Sequence, residues 1–262
     1  MKMKAFLVII PFILAGSLAS VPPVAATANA VVQNDSMWID SAGVLHIFGE
    51  VKNTGDVWLH YVQITATLRD ASSSIVDVVF TFTSTDFLPP DSVAPFNIVE
   101  SDTAKSARVQ TYSLVVEFRE ATAIAQKLVI MSVGDSKNSL GWLEVVGEVE
   151  NQGDALSTYT EVVGTFYDAN GKVVYADFTF TSPNDVPPAS KYGFKITVSS
   201  DERTNQIARY SLIAESQNYT SVPELSAPML VAGIALSMGV LAVWKKRHDF
   251  TLWPQPRSCA RL

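Results

Sequence analysis

Gly49-Glu-Val-Lys-Asn-Thr-Gly-Asp56 returns 98 positions later as Gly147-Glu-Val-Glu-Asn-Gln-Gly-Asp154. Outward from this pair, Gly43–Glu117 aligns with Gly141–Glu215 without a gap, and 28 of the 75 residue pairs are identical. Self-similarity at one long period marks a duplication. Copies of roughly 95 residues are the size of domains, not of solenoid repeats. The same offset carries Tyr61 onto Tyr159, Asp70-Ala71 onto Asp168-Ala169 and Phe80-Thr-Phe-Thr-Ser84 onto Phe178-Thr-Phe-Thr-Ser182. It also carries Pro89-Pro90 onto Pro187-Pro188 and Tyr112-Ser-Leu114 onto Tyr210-Ser-Leu212.

Inside each copy apolar residues alternate with polar ones, the period of a half-buried strand. Leu45, Ile47, Gly49 and Val51 face inward while His46, Glu50 and Lys52 face outward, and Leu143, Val145, Gly147 and Val149 repeat the pattern against Glu144, Glu148 and Glu150. Val62, Ile64, Ala66 and Leu68 line a second strand, matched by Val162, Gly164 and Phe166. Phe80 with Phe82, and Phe178 with Phe180, share one face of a third, with threonines on the other. Asn-x-Gly-Asp supplies residues that tolerate positive φ, Asn170-Gly171 is a strong hairpin signal, and Pro-Pro ends a strand because it cannot donate to a ladder. Asp102–Gln110 and Asp201–Arg209 are polar, without alternation, and suit a short helical turn. The expected fold is all-β: two tandem immunoglobulin-like antiparallel β-sandwich domains, 31–123 and 124–217, with a joint near Glu120–Gln126 too short to give much independence.

The ends differ from the middle. Lys2 and Lys4 precede the uncharged run Ala5–Ala15, followed by two A-x-A sites, Ala26-Thr27-Ala28 and Ala28-Asn29-Ala30. A basic start, a short apolar stretch and a small-residue exit read as a signal peptide over 1–30, with an uncleaved N-terminal anchor as the alternative. Residues 218–224 form a linker, and Leu225–Trp244 then offers 20 residues without charge. At about 1.5 Å per residue they reach about 30 Å, the thickness of the hydrocarbon core. A transmembrane helix over 225–244 is expected, the alternative being a buried core helix. Lys245, Lys246 and Arg247 stop it on the cytoplasmic side, which leaves 245–262 as a basic cytoplasmic tail and the two copies outside the membrane. The net charge of −7 therefore divides: residues 31–224 hold 12 Lys+Arg against 25 Asp+Glu.

This acidic balance speaks against nucleic acid as a partner. A single Cys, Cys259 in the tail, excludes a disulfide framework and a Cys-rich zinc cluster. No cofactor motif, Gly-rich phosphate loop or Ser/His/Asp spacing occurs, so no catalytic residue is assigned. His46 and His60 are the two histidines of the exported part and form a candidate copper or zinc pair if their strands bring them together; otherwise they are two exposed strand residues. Asp168-x-Asn170-Gly171 resembles the start of a calcium loop but lacks the rest of the ligand set, and reads better as a turn. Asn34-Asp35-Ser36 and Asn218-Tyr219-Thr220 are candidate glycosylation sites. Phe48 and Trp142 point away from the inward set, either as a contact surface or covered by a neighbouring sheet.

Glu161-Val-Val-Gly-Thr-Phe-Tyr-Asp168-Ala-Asn-Gly171-Lys-Val-Val174, with Pro187-Pro188 and Phe194, resembles the FxLYD domain, a secreted or membrane-anchored β-sandwich module of archaea and bacteria. Gly147-Glu-Val-Glu-Asn151-x-Gly153 fits its first strand and turn. The first copy has Leu68-Arg69-Asp70 at the motif core, and Ala66 and Gly164 stand where the motif's leading Phe would be. The resemblance spans about residues 31–217 and implies a binding or scaffold role without an active site. Val222-Pro223-Glu224-Leu225, the apolar run and Lys245-Lys246-Arg247 are similar to the PEF-CTERM sorting signals of archaeal surface proteins, in which a membrane-embedded transpeptidase exchanges the helix for a lipid anchor. Leu225 stands in the place of Phe, and His248–Leu262 extends past the basic stop. Processing and a permanent single-pass anchor satisfy the span equally. The expectation is a non-enzymatic cell-surface protein with a structural, adhesive or binding role toward an unknown protein or cell-envelope partner. The alternative is an extracytoplasmic metal-ion- or substrate-binding protein with its site at the junction of the copies.

Overall fold

A computed structural model describes residues 27–199, 201–221 and 227–228. The expected leader up to residue 26, the sorting motif Pro223-Glu224-Leu225, the membrane stop Lys245-Lys246-Arg247 and the tail lie outside the described residues. So does the expected membrane helix, apart from Ala227–Pro228, which pair with Arg209 and Tyr210. Residues 27–30, read as the end of the leader, run into the first strand, and the Asn29 carbonyl accepts the Thr54 and Gly55 N–H groups. Among the described residues no helix is long and apolar enough to cross a membrane.

The alternating pattern produces an all-β chain. The first copy contains β1 (Ala30–Ile39), β2 (Leu45–Asn53), β3 (Trp58–Arg69), β4 (Ile75–Phe82), β5 (Phe87–Leu88), β6 (Val93–Glu100), α1 (Thr103–Ser106) and β7 (Thr111–Ala121). The second contains β8 (Ala125–Lys137), β9 (Leu143–Asn151), β10 (Glu161–Tyr167), β11 (Val173–Phe180), β12 (Lys191–Val198), α2 (Asp201–Thr204) and β13 (Arg209–Glu215). Shifting β2, β4, β6 and α1 by 98 positions reproduces the bounds of β9, β11, β12 and α2. β14 (Tyr219–Ser221) follows the second copy and has no counterpart in the first.

In the first copy β1-β2-β6 form one sheet and β4-β3-β7 another, with β5 paired to β3. Leu45, Ile47, Phe96 and Ile98 from the first sheet close on Val62, Ile64, Ala66 and Leu68 from the second in one buried cluster. In the second copy Val145, Val149, Phe194 and Ile196 close on Val162, Phe166, Tyr210 and Leu212. There the strand order is β11-β10-β13-β14-β8-β9-β12, so β14, parallel to β8, joins the two layers into one rolled sheet. Gly49 and Gly147 sit opposite Phe96 and Phe194 in the ladder. A Cβ there would lie 2.5 Å and 2.7 Å from the respective ring, which explains glycine inside both strands.

Four hairpins use one turn. Asp40, Asp70, Asn138 and Asp168 each accept, through Oδ1, the backbone N–H groups two and four residues on. The third residue after each has positive φ: Gly43 at 83°, Ser73 at 65°, Gly141 at 79° and Gly171 at 82°. Asn170 is not in the left-handed region, so Asn170-Gly171 does not form the two-residue turn that the dipeptide favours in isolation. It closes a turn hydrogen-bonded from Gly171 N–H to the Asp168 carbonyl, followed by the left-handed glycine. Ser73 alone carries a Cβ at this position. Ser73→Gly is expected to raise the unfolding free energy by about 1 kcal/mol, because an L-residue in the left-handed region costs roughly 1–2 kcal/mol. Denaturant unfolding checks it, with Gly171→Ser as the reverse change.

The copies are stacked. Phe48, expected to point outward, is 1% exposed and packs with Tyr167 and Val173 of the second copy, flanked by Trp38, Tyr175 and Ala176. The covered alternative for Phe48 therefore holds. Glu50, also outward in its own sheet, accepts hydrogen bonds from Gln33 and Asn34 at 2.8 and 2.7 Å and from the Tyr167 hydroxyl at 2.6 Å. Ser36 donates to the Val173 carbonyl. Burial and the Glu50 carboxylate push the Tyr167 hydroxyl well above its usual range, so it stays a donor. The matching face of the second copy carries Glu144 and Glu150 paired with Lys195 and Lys191, with Val146 44% exposed. It is a solvated face.

Candidate functional site

The two candidate metal histidines lie in different sheets and keep different company. His46, on β2, stacks between Trp38 at 5.3 Å and Phe48 at 5.6 Å, with its Nε2 3.6 Å from Asp40 and its Nδ1 3.3 Å from the Asn97 side-chain oxygen. It belongs to the junction between the copies. His60, on β3, lies beside Tyr61 and Phe87. Among the described residues no group of three His, Cys, Asp or Glu side chains is placed to hold a metal ion. Asn34 is half-buried and donates its Nδ2 to Glu50, a bond that a glycan on that nitrogen would displace. Asn218 is exposed and donates to the Leu156 carbonyl, with Tyr219 and Thr220 of its triplet buried.

A different set of side chains stands out. Tyr61 and Tyr159 are 61% and 59% exposed, and both sit at positive φ, 47° and 50°. In the first copy the Tyr interrupts the β3–β7 ladder between His60 and Gln63. A bulky residue in the left-handed region is strained, and such strain clusters at functional sites. Phe80 and Phe82 are 63% and 45% exposed, Phe178 and Phe180 51% and 44%, and each pair meets edge to face near 6 Å. The threonine face of these strands is the inward one. Apolar aromatics on an edge strand contribute little to the core, so their presence in both copies is not explained by folding.

Tyr61 and Phe82, and Tyr159 and Phe180, wall two clefts that meet at Asp86. A cleft of about 360 Å³ is lined by His60, Tyr61, Phe82, Asp86 and Phe87. A second, about 160 Å³, is lined by Tyr159, Glu161, Phe180, Glu215, Gln217 and again Asp86. The loop that carries Asp86, between β4 and β5, bridges the copies: the Asp86 N–H donates to Glu215 Oε1 at 2.6 Å. Glu215 is 3% exposed, and its Oε2 is buried without a hydrogen-bond partner. Glu161 stands directly across the ladder from it. Burial, with Glu161 and Asp86 nearby, drives the Glu215 carboxyl well above its ordinary value, and burial raises Glu161 in turn.

That shift fixes the sign of a pH dependence. Protons held more tightly in the folded than in the unfolded chain stabilise below the ordinary carboxyl value of 4.5 and are lost as pH rises through the folded values. The lowered carboxyls of Asp40, held by the Val44 N–H, Asp70, held by the Ser72 hydroxyl and then by turn N–H groups, and Asp77, held by Lys105, act oppositely and only as pH falls toward and below 3.8. Thermal unfolding is therefore expected to move to lower temperature as pH rises above 4.5. In Glu215→Gln the decline should be flatter, which a series of melts from pH 4.5 upward measures.

No family model matches the chain, and no curated protein sequence matches it. Among solved structures, a red sea bream transglutaminase aligns with 77% of this chain and 31% of its own length, at 10% identity and a TM-score of 0.28. An exo-chitosanase, CsxA, of Amycolatopsis orientalis aligns with 74% of this chain and 26% of its own length, at 9% identity and a TM-score of 0.22. The chain thus spans a third or less of either protein, and likenesses this distant carry no argument about activity.

Proposed function

We propose that the chain is a non-enzymatic binding protein presented outside the membrane, as two tandem immunoglobulin-like sandwiches of the FxLYD kind. The observation that carries this reading is the pair of clefts meeting at Asp86, walled by the exposed aromatic side chains of Tyr61, Phe82, Tyr159 and Phe180, which the core does not use. The sandwich reading is supported by the strand order, three strands facing three or four in each copy. The stacked junction through Phe48 and Glu50 fixes the two clefts relative to each other. Among the described residues the clefts offer carboxyls, hydroxyls, the His60 imidazole and aromatic faces, which suits recognition. Export and anchoring rest on the apolar runs at both ends and the basic stop, with a sorting transpeptidase or a retained helix as the two routes to the surface.

Co-sedimentation of the full chain with isolated host cell envelopes tests the reading. Wild type is expected to bind saturably, and Tyr61→Ala with Tyr159→Ala to weaken binding at least tenfold while melting normally. No envelope binding by wild type, or equal binding by the variant, would overturn it.

A further inference from the structure

Resting on that reading, we propose that the second-copy cleft binds a guanidinium group supplied from outside the described chain. The chain contains its own precedent. In the first copy the Arg119 guanidinium stands over the Tyr61 ring, 5.3 Å from its centre. The 98-residue offset carries Tyr61 onto Tyr159 and Glu117 onto Glu215, but Arg119 onto Gln217 and Gln63 onto Glu161. The second cleft has thus lost the internal cation and gained a carboxylate. What remains is an exposed Tyr159 ring, Phe180, and the carboxyl groups of Asp86, Glu161 and Glu215. No ion pair among the described residues neutralises any of the three.

Glu215 makes this more than an acidic surface. Its Oε2 is buried without a donor in a side chain 3% exposed, and the neighbouring Glu161 carboxyl can meet it only by sharing a proton, a costly arrangement for an ionised carboxylate unless a cation enters the cleft. A metal ion fits poorly: calcium wants six to eight oxygens at about 2.3–2.6 Å, and no such group of ligands is gathered among the described residues. A guanidinium fits better. It is flat and weakly hydrated, donates in a fork to carboxylates and stacks on aromatic faces. Burial raises both the Glu161 and the Glu215 carboxyl, which favours their protonated forms in the empty cleft, so a cation that pairs with them is expected to favour loss of a proton.

Calorimetric titration of the full chain in detergent with agmatine, an arginine-containing tripeptide and calcium tests this at pH 7.5. Agmatine is expected to bind with proton release, seen as a heat that varies with the buffer, and to bind more tightly at pH 7.5 than at pH 5.5. Glu215→Gln and Glu161→Gln should each weaken it at least tenfold. Gln217→Arg restores the internal cation on an exposed residue, so it should abolish agmatine binding while keeping or raising the melting temperature. Equal affinity for agmatine and tripeptide would identify a free amine as the source, and a tenfold preference for the tripeptide an arginine of a partner; either supports the proposal. Absence of agmatine binding, unchanged binding in Glu215→Gln and Gln217→Arg, or a preference for calcium would overturn it. If envelopes still bind wild type and agmatine does not compete, the ligand class is wrong and the binding role stands. If neither binds, the binding role falls too.

Discussion

Asn53→Ala, or Asn151→Ala in the second copy, is expected to cost about 3 kcal/mol or more of unfolding free energy, since each unsatisfied buried polar group costs about 1–3 kcal/mol. Both asparagines are 0% exposed. Asn53 Nδ2 donates to the Val57 and Leu88 carbonyls at 2.8 and 3.0 Å, and Oδ1 accepts the Gly55 N–H at 3.0 Å. Asn151 repeats the set with Ala155, Val186 and Gly153, each at 2.8 Å. The backbone is engaged too, with Asn53 N–H to the Ser92 carbonyl and its own carbonyl accepting from Asp91. One side chain thus fastens the end of β2, the turn into β3 and the Pro-Pro turn. Alanine leaves two carbonyls and one N–H unpaired. Aspartate keeps the acceptor but loses both donors and buries a charge, so it should be no better. Denaturant unfolding of the two variants, against Thr54→Ala at an exposed neighbouring position, measures the difference.

Phe48→Ala should cost about 3–5 kcal/mol, the range for deleting a buried aromatic side chain. The ring is 1% exposed, 5.7 Å from the Tyr175 ring, stacked on His46 and within 5.9 Å of the Arg203 guanidinium. Because this cluster joins the copies, the loss should appear as separation of one melting transition into two. The matched residue, Val146, is 44% exposed on the solvated face, and Val146→Ala should stay within about 0.5 kcal/mol of wild type. The contrast isolates the junction from strand propensity, since both sites occupy the same place in their own sandwich.

Why the two sites differ could not be read from alternation. A period of two tells which side chains share a face, not which face meets water. Leu45, Ile47, Ile64 and Leu68 were legible as core because both sheets of a copy must hide one face. Alternation leaves Phe48 with two readings because its cover comes from a sheet more than 100 residues away in the chain. Phe80 and Phe82 were legible as one face of a strand, yet nothing local marks that face as the exposed one. The turns were half legible: Asn170-Gly171 announced a hairpin, while its kinship with Asp40-x-x-Gly43 and Asn138-x-x-Gly141 emerges only when the side-chain caps are seen. The histidines drew attention as rare metal-binding residues, and the fold places them on separate sheets. Glu161 and Glu215 carried no motif. Their sequence signals are the exchange of Gln63 for Glu161 and of Arg119 for Gln217 between copies, which have meaning only once Tyr61 and Tyr159 are known to be exposed.

Amide hydrogen exchange of the full chain, with and without host cell envelopes, tests the central claim most directly, because it reports which strands meet the partner. Slowed exchange is expected along β4 and the Thr83–Phe87 loop and around Tyr159–Glu161, where the two clefts meet. Slowing confined to the Glu/Lys face of β9 and β12, or no change in exchange anywhere, would contradict it.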